Sequence, residues 1–259
     1  MIDRIVIRDN EKLPLGYAKT LPAFANGKEY KFKDGVNVIV GANGCGKTTL
    51  LKTMKMYLLV PHEQCSNRVG QYMPSAVEML YPTFGEKILN DGADLYADYT
   101  RNTFAFKPQS ERDGDYAMES FRTFGDSFEL KHRSSGQQTS YALASLFHLM
   151  FSHEVALYYD YYTNTSNEKY LEYVDAHKVD CAESWTLLMD EPDNSMDIDN
   201  VMEVYGILSE RKANTQVIAV VHNPLLIYKL SKLKDINIIE MTDGYVDKIC
   251  KQMKAFLEK

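Results

Sequence analysis

Short apolar segments alternate with polar ones at the start of the chain. Residues 3–8 (DRIVIR) alternate in part, and Tyr30 and Phe32 share one face of the segment KEYKFKDG. The segment VNVIVG is a continuous apolar run, typical of a strand that is buried on both faces. The following segment, TTLLKTMKMYLL, has the length of a helix. The opening of the chain is therefore predicted to be β structure that leads into a helix.

The last part of the chain contains further strand and helix patterns. WTLLMDEP and QVIAVVH are predicted to be buried strands, and INIIEM-TDG-YVDKI a hairpin with Asp243 and Gly244 in its turn. Between the two strands, IDNVMEVYGILSERK has the period of an amphipathic helix. Its predicted apolar face consists of Ile198, Val201, Met202, Tyr205 and Leu208. Strands that alternate with helices predict an α/β core with a largely parallel sheet.

The middle of the chain has a weaker pattern. Residues 61–133 are mixed and polar, although near-alternate aromatic residues in 94–107 predict short strands. Helical spacing of apolar residues predicts a helix from residue 135 to about 152. These residues are Leu143, Leu146, Phe147 and Met150. A Tyr-rich insert at 158–173 is either a surface for a protein partner or a packed flap of the same domain. The C-terminal KICKQMKAFLEK predicts a short helix with a solvated lysine face.

Composition limits the class of protein. A net charge of −7 argues against a whole surface built for nucleic acid, but not against a local basic patch. The four cysteines are far apart, which suggests neither a disulfide framework nor a zinc site and favours a reducing cytosol. The N-terminus lacks the apolar core of a signal peptide. The longest apolar run, YALASLFHLMF, is about half the length of a membrane span. We expect a cytoplasmic protein that does not insert into a membrane by itself.

A phosphate-binding loop is the strongest motif. Residues 41–48, GANGCGKT, match G-x-x-x-x-G-K-[ST] in full, with an apolar strand before and a helix after. Glycines let the backbone amides point at phosphate oxygens, and the helix N-terminus adds positive potential. Lys47 would lie near the β and γ phosphates, and Thr48 would offer its hydroxyl to Mg²⁺. The predicted nucleotide-binding residues here are Asn43, Gly44, Cys45, Gly46, Lys47, Thr48 and Thr49.

Two acids end the strand LLMDE. Successive side chains of a strand face opposite ways, so the two acids can do different work. Asp190 is predicted to hold Mg²⁺, and Glu191 to act as the general base on the attacking water. The alternative is an acidic turn favoured by Pro192. In the acid-rich segment that follows, Asp197 or Asp199 is predicted to cap the next helix.

His222 ends the apolar segment QVIAVV. A histidine at a strand end is often only a partly buried polar residue. Here the strand is predicted to lie beside the acidic one, and ligands bind at the carboxyl edge of such sheets. His222 is therefore predicted to contact the γ-phosphate.

The segment KHRSSGQQTS begins the helix predicted from residue 135. Ser134 and Gln137 fit a capping box, in which each side chain bonds a backbone amide at the helix start. A capping box does not require Gly136, which is a poor helix former but permits close approach to the backbone.

Taken in order, these motifs resemble those of the ABC-type ATPases. GANGCGKT corresponds to the P-loop, Arg133-Ser-Ser-Gly-Gln137 to the signature, LLMDE to the Walker B strand, Asn194-Ser-Met-Asp197 to the D-loop and His222 to the switch histidine. The signature departs from the usual LSGGQ, since Arg133 replaces leucine and Ser135 replaces the first glycine. The order of motifs covers roughly residues 36–225.

The resemblance implies a homodimer with ATP at the interface, each ATP lying between the P-loop of one subunit and the signature of the other. The signature residues that would contact nucleotide in trans are Ser134, Ser135, Gly136 and Gln137. The family also has a glutamine that senses Mg²⁺ and water; Gln71 is the candidate and Gln64 the competitor. A stacking aromatic residue is expected before the P-loop, and Tyr17, Phe24 and Tyr30 all remain candidates.

The expected architecture is an α/β P-loop NTPase of the ABC-type ATPase head, with a mostly parallel core sheet, an N-terminal antiparallel β part and a helical signature subdomain. Residues 1–259 would form one such domain, with 1–60 and 180–259 as the nucleotide-binding core and 61–179 as the signature lobe with the Tyr-rich insert. From signature to Walker B the chain runs 56 residues (134 to 190), longer than expected of a transport cassette. The pattern is more similar to the soluble branch of RecF-like, SMC-like and Rad50-like ATPases, or to the related standalone predicted ATPases. The chain has no heptad run long enough for the coiled coil of SMC and Rad50.

Three functions follow from the resemblance. The first is an ATPase that uses ATP and Mg²⁺ to drive or gate a partner, in DNA repair or anti-phage defence, with an effector protein and possible contact to nucleic acid. The second is the nucleotide-binding subunit of an ABC membrane transporter. The third is a nucleotide sensor that does not hydrolyse ATP, which the presence of Glu191 and His222 disfavours.

Overall fold

The computed structural model describes residues 1–58, 77–80, 92–97, 102–106, 185–194, 196–209 and 215–257. The strands in these ranges are β1 (Ile2–Ile7), β2 (Glu29–Lys31), β3 (Gly35–Val40), β4 (Val77–Leu80), β5 (Ala93–Ala97), β6 (Asn102–Phe106), β7 (Trp185–Asp190), β8 (Thr215–Val220) and β9 (Asn237–Glu240). The α-helices are α1 (Lys47–Leu58), α2 (Ile198–Ser209), α3 (Pro224–Leu230) and α4 (Tyr245–Leu257). Short 3-10 turns lie at Asn10–Lys12, Gly16–Thr20 and Pro22–Phe24.

The larger sheet has six strands in the order β4-β6-β7-β8-β3-β9. Its neighbouring strands are parallel except β4 and β6, which are antiparallel. All six residues of β3, β7 and β8 are buried, as their continuous apolar runs predict. Because β3, β7 and β8 are adjacent and parallel, the loops that follow them meet at one edge of the sheet.

The smaller sheet is antiparallel, in the order β2-β1-β5. In β2 the buried Tyr30 alternates with exposed neighbours, as predicted. The short strands predicted in 94–107 form as β5 and β6, but these join different sheets, since β5 pairs with β1 and β6 with β7. The two sheets therefore take strands from the segment 61–179 as well as from the segments expected to form the nucleotide-binding core.

Buried apolar residues form a layer on each face of the parallel sheet. On one face, α2, α3 and α4 pack against alternate residues such as Val38 and Leu187. On the other face, α1 and the antiparallel sheet pack against Ile39, Leu188 and Ile218. The predicted α/β fold, with a mostly parallel core sheet and an N-terminal antiparallel part, is confirmed for the described residues.

One buried side chain, Gln216 on β8, ties the two sheets together. Its Oε1 accepts from the Ile2 amide at 2.8 Å, and its Nε2 donates to the Ile2 carbonyl at 2.7 Å. Nε2 also donates to the Lys33 carbonyl at 3.0 Å, and the Thr186 hydroxyl donates to Oε1 at 3.3 Å. The start of β1 is thereby fixed to the core through a side chain rather than through strand pairing.

Two sequence predictions are wrong. YVDKI does not return as the second strand of a hairpin; it begins α4 at Tyr245, directly after the Asp243-Gly244 turn. The buried face of α2 also differs from the prediction, since it consists of Val201, Val204 and Leu208. Tyr205 packs partly against the core, whereas Ile198 and Met202 are exposed. The helix is rotated so that Val204, rather than Met202, faces the sheet.

Candidate functional site

The loop after β3 has the shape of a phosphate cradle. Gly44 and Gly46 have φ values of 77° and 105°, a region that favours glycine. A Cβ on Gly46 would lie 3.0 Å from Phe24 Cε2, and one on Gly41 only 2.7 Å from Cys45 Sγ. The backbone conformation thus favours glycine at 46, and a Cβ at 41 would require the Cys45 side chain to move.

Lys47 folds back over this loop. Its ammonium is buried and donates to the carbonyl oxygens of Gly41 at 2.8 Å and Ala42 at 3.0 Å. No carboxylate within the described residues forms an ion pair with it. The positive charge is therefore held at the loop by neutral acceptors, which an anionic ligand can replace.

Thr48 and Asp190 meet at the junction of α1 and β7. The Thr48 hydroxyl donates to Asp190 Oδ1 at 3.1 Å, and Asp190 is buried. A hydroxyl and a carboxylate next to a phosphate cradle are oxygen donors of the kind that Mg²⁺ prefers. The predicted pair of metal ligands lies together, and its donor set fits Mg²⁺.

Glu191 follows directly and takes an unusual backbone conformation. Its φ is +49°, the one positive value at a non-glycine residue within the described ranges. Its amide donates to the Val220 carbonyl at 3.2 Å, and its Oε2 accepts from Asn194 Nδ2 at 3.2 Å. Oε1 lies 3.0 Å from His222 Nε2. Asn194 therefore hydrogen-bonds one oxygen of the Glu191 carboxylate, whereas His222 Nε2 lies close to the other and has no hydrogen-bond partner among the described residues.

His222 is half-buried between charges of both signs. Burial lowers its pKa, and the nearby Lys47 ammonium lowers it further. The carboxylates of Glu191 and Asp193 act in the opposite direction and do not outweigh these effects. The imidazole is therefore neutral at neutral pH.

These groups line an open cleft of about 580 Å³. Its lining residues are Tyr17, Leu21, Asn43, Gly44, Gly46, Lys47, Thr48, Thr49, Glu191 and His222. Of the three aromatic candidates for base stacking, Tyr17 lines the cleft and is 56 % exposed, whereas Phe24 and Tyr30 are buried. Tyr30 instead donates its hydroxyl to the Ala23 carbonyl at 2.7 Å.

Two residues near the site were missed by the sequence reasoning. Thr242 Oγ1 accepts from the Ala42 amide at 3.1 Å, which ties the turn after β9 to the phosphate loop. Asp193 Oδ2 accepts from the amides of His222 and Asn223 at 2.9 Å and 2.6 Å. Asp193 stands in the acid-rich segment that had been noted, but nothing local indicates its distant partners.

Other predicted residues lie outside the described residues. These are Gln71 and its competitor Gln64, and the signature residues Ser134, Ser135, Gly136 and Gln137. Arg133, the helix predicted from 135 and the Tyr-rich insert also lie outside them. Asp197, one of two predicted caps, does bind the start of α2, because its Oδ1 accepts from the Asn200 amide at 2.9 Å.

Comparison with known proteins agrees with the site. The family model described as "AAA domain" matches residues 22–62, which include the whole phosphate loop and α1. Among solved structures, the chain is similar to the SMC head domain from Thermotoga maritima, with 15% identity, a TM-score of 0.42, and coverage of 94% of this chain and 96% of that one. A search of curated proteins found no match. Among the described residues, no helix has the length and apolar composition that crossing a membrane requires.

The phosphate cradle and the paired Thr48 and Asp190 are typical of P-loop ATPases. The family model that matches residues 22–62 supports the predicted resemblance at the phosphate loop.

Proposed function

We propose that the protein binds ATP with Mg²⁺ and hydrolyses it, and that two copies enclose the nucleotides to drive or gate a partner protein. The observation that carries the proposal is the position of the Glu191 carboxylate. It lies 3.0 Å from His222 Nε2 and next to the Thr48–Asp190 pair, at the edge of an open cleft. The residues that we assign as general base, switch histidine and metal ligands therefore lie close together, which supports a site for the γ-phosphate at this edge of the cleft.

Binding would rest on the phosphate loop. The loop amides and the α1 N-terminus favour an anion, and the Lys47 ammonium would exchange the carbonyls of Gly41 and Ala42 for phosphate oxygens. Thr48 and Asp190 would hold Mg²⁺, which would neutralise charge on the β and γ phosphates. Tyr17 is the aromatic residue placed to stack on the base.

Hydrolysis is phosphoryl transfer to water, in which positioning and charge stabilisation do most of the catalysis. Glu191 would orient the water and accept its proton. Asn194 donates to one oxygen of this carboxylate, and His222 Nε2 lies 3.0 Å from the other. Because the His222 imidazole is neutral at neutral pH, it can contact Glu191 without neutralising the base.

Dimerisation would complete the site. The cleft is open, and the signature of a second copy, with Ser134 and Gly136, would cover the γ-phosphate. Support comes from the exposed apolar residues Ile198 and Met202, which follow the proposed D-loop, 56 % and 40 % exposed respectively. The same proposal includes a signature lobe within 61–179 and a cytoplasmic location. It also includes an effector protein as the partner, with nucleic acid as a further partner.

Glu191→Gln tests the proposal, because it keeps the shape of the side chain and removes the base. We expect hydrolysis to fall at least about 100-fold, with ATP binding retained. Light scattering should show the molar mass doubling when ATP and Mg²⁺ are added. If the Glu191→Gln variant stayed monomeric at saturating ATP, the proposed dimer with ATP at its interface would be contradicted. Undiminished hydrolysis would contradict the role of Glu191.

Two matched variants in the Glu191→Gln background distinguish ATP binding from dimerisation. Lys47→Ala should abolish ATP binding and dimerisation together. Ser134→Arg should block dimerisation while ATP still binds, because the added side chain would fill the trans contact. Mass spectrometry of proteins that co-elute from the native host would then identify the partner, with the trapped dimer as bait.

A further inference from the structure

Asp193 is a buried acid that lies beside the proposed catalytic groups. The proposed mechanism assigns it no role. It stands two residues after Glu191, in the turn between β7 and α2, and is only 5 % exposed. Its Oδ2 accepts from two consecutive amides, those of His222 and Asn223. A single carboxylate oxygen therefore joins the turn that carries Glu191 to the loop that carries His222.

The loop after β8 depends on this oxygen. The Val221 amide still bonds across the sheet to the Ile39 carbonyl at 3.2 Å. At the next two residues the Asp193 carboxylate, rather than a strand, supplies the acceptor. Asn223 Oδ1 then caps α3 by accepting from the Leu225 amide at 2.9 Å. Backbone amides away from water need an acceptor, so Asp193 determines where this loop lies.

We propose that Asp193 is a positioning residue for ATP hydrolysis: by holding the amides of His222 and Asn223, it places the His222 imidazole against the Glu191 carboxylate. The inference rests on the proposed function, since it assigns Asp193 to the same reaction. It follows from the geometry, because Glu191 and Asp193 belong to one turn and the His222 amide is hydrogen-bonded to that turn. The His222 Nε2 lies 3.0 Å from Glu191 Oε1, without a hydrogen bond between them.

The requirement is for an acceptor oxygen rather than for a charge. Burial raises the pKa of Asp193, and the hydrogen bonds from backbone amides and the nearby His222 offset this only in part. Its second oxygen, Oδ1, is buried with no hydrogen-bond partner among the described residues. An amide oxygen at the same place could accept from both backbone amides. Asparagine is therefore the conservative replacement, and alanine the one that removes the contact.

The test compares Asp193→Ala with Asp193→Asn in steady-state ATP hydrolysis and in equilibrium ATP binding. For Asp193→Ala we expect kcat to fall about 10- to 100-fold, as for a catalytic group displaced by about 1 Å. Its Kd for ATP should stay within about 3-fold, because the contact lies outside the phosphate loop. Asp193→Asn should keep kcat within about 3-fold of the wild type. An alanine variant with wild-type kcat, or an asparagine variant as slow as alanine, would overturn the proposal.

A double-mutant cycle with His222→Ala decides whether Asp193 acts through the histidine. If it does, adding Asp193→Ala to His222→Ala should lower kcat by less than about 2-fold. An undiminished effect in that background would mean that Asp193 acts elsewhere, for instance on general stability.

Hydrogen exchange gives a readout that does not need hydrolysis. In Asp193→Ala, the amides of residues 222–223 should exchange at least about 10-fold faster, while those of β8 remain unchanged. Asp193→Asn should match the wild type. Unchanged exchange at 222–223 in the alanine variant would refute the contact itself. If instead the wild type hydrolyses no ATP while the exchange pattern holds, the proposed function fails and the loop contact stands.

Discussion

Replacing Gln216 by methionine should remove the hydrogen bonds that join the two sheets and lower the free energy of unfolding, without changing the shape of the core. Methionine matches glutamine in length but offers neither the donor nor the strong acceptor. It would break the bonds of 2.8 Å and 2.7 Å to the Ile2 backbone, the bond of 3.0 Å to the Lys33 carbonyl, and the bond of 3.3 Å from Thr186. Gln216 is fully buried, so water cannot replace these partners at no cost.

The expected loss can be worked out bond by bond. Each of the three bonds to backbone groups contributes about 1 kcal/mol net, and a partner left buried and unpaired costs about 1–3 kcal/mol. The longer bond from Thr186 adds little. The extra burial of the methionine sulfur and methyl group offsets part of this. We therefore expect the free energy of unfolding to fall by about 3–5 kcal/mol, which for a chain of this size lowers Tm by roughly 10 °C.

Urea unfolding followed by circular dichroism measures the loss. The midpoint should fall while the m-value stays unchanged, because the surface exposed on unfolding is the same. Gln252→Met, at an exposed position of α4, is the matched control and should change stability by less than about 0.5 kcal/mol. If Gln216→Met were as stable as Gln252→Met, the network would not hold β1 to the core.

Three further predictions concern the site itself. Gly46→Ala should weaken ATP binding at least about 10-fold, because a φ of 105° strains alanine by about 1–3 kcal/mol, whereas Gly206→Ala, with open space around its Cβ, should leave titration calorimetry unchanged. Thr242→Val should raise the Kd for ATP about 5-fold through loss of the bond to the Ala42 amide, and Thr242→Ser should restore it; equal Kd values for all three proteins would refute this role. Folding lowers the pKa of His222, so the neutral ring contributes stability above the unfolded pKa of about 6.5, and this stability is lost as the pH falls towards the lower folded pKa. Between pH 7 and pH 5, His222→Gln should therefore lose less stability than the wild type in thermal melts. Equal losses in the two proteins would contradict the lowered pKa.

Local sequence was sufficient to predict the strands of the parallel sheet and the helix after the phosphate loop. A buried strand reads as a continuous apolar run, and β3, β7 and β8 all have one. The predicted adjacency of β7 and β8 is confirmed, but the rest of the strand order was not predictable from local sequence, because it depends on which strands pair across long stretches of chain. The short strands predicted in 94–107 show this, since β5 and β6 are neighbours in sequence but join different sheets.

Each of the two wrong predictions has its own cause. For α4 the sequence segment considered was too short, and for α2 the predicted buried face was rotated about the helix axis. A turn such as Asp243-Gly244 can be followed by either a strand or a helix. Only the spacing of Val246, Ile249 and Met253 over the following turns identifies α4. On α2, residues Met202 and Val204 are both apolar, and the packing of the helix on the sheet decides which of them is buried.

The chemical groups of the site were predictable because their residue types and spacing carry the chemistry. Lys47, Thr48, Asp190, Glu191 and His222 meet as the motif order led us to expect. Their supporting contacts were not predictable. Ala42 and Thr242 are 200 residues apart, and Asp193 and His222 are 29 apart. Such contacts arise from the meeting of loops at the sheet edge, and no local pattern records them.

The left-handed backbone at Glu191 means that the protein gives up stability at the position of its proposed base. A side chain at a φ of +49° costs about 1 kcal/mol that glycine would not incur. Glycine at 191 would therefore make the fold more resistant to heat and leave it without a base. Among variants that lack the carboxylate, Glu191→Gly should melt at a higher temperature than Glu191→Gln. Stability alone would favour glycine at this position, and the proposed role of the carboxylate in hydrolysis accounts for the glutamate.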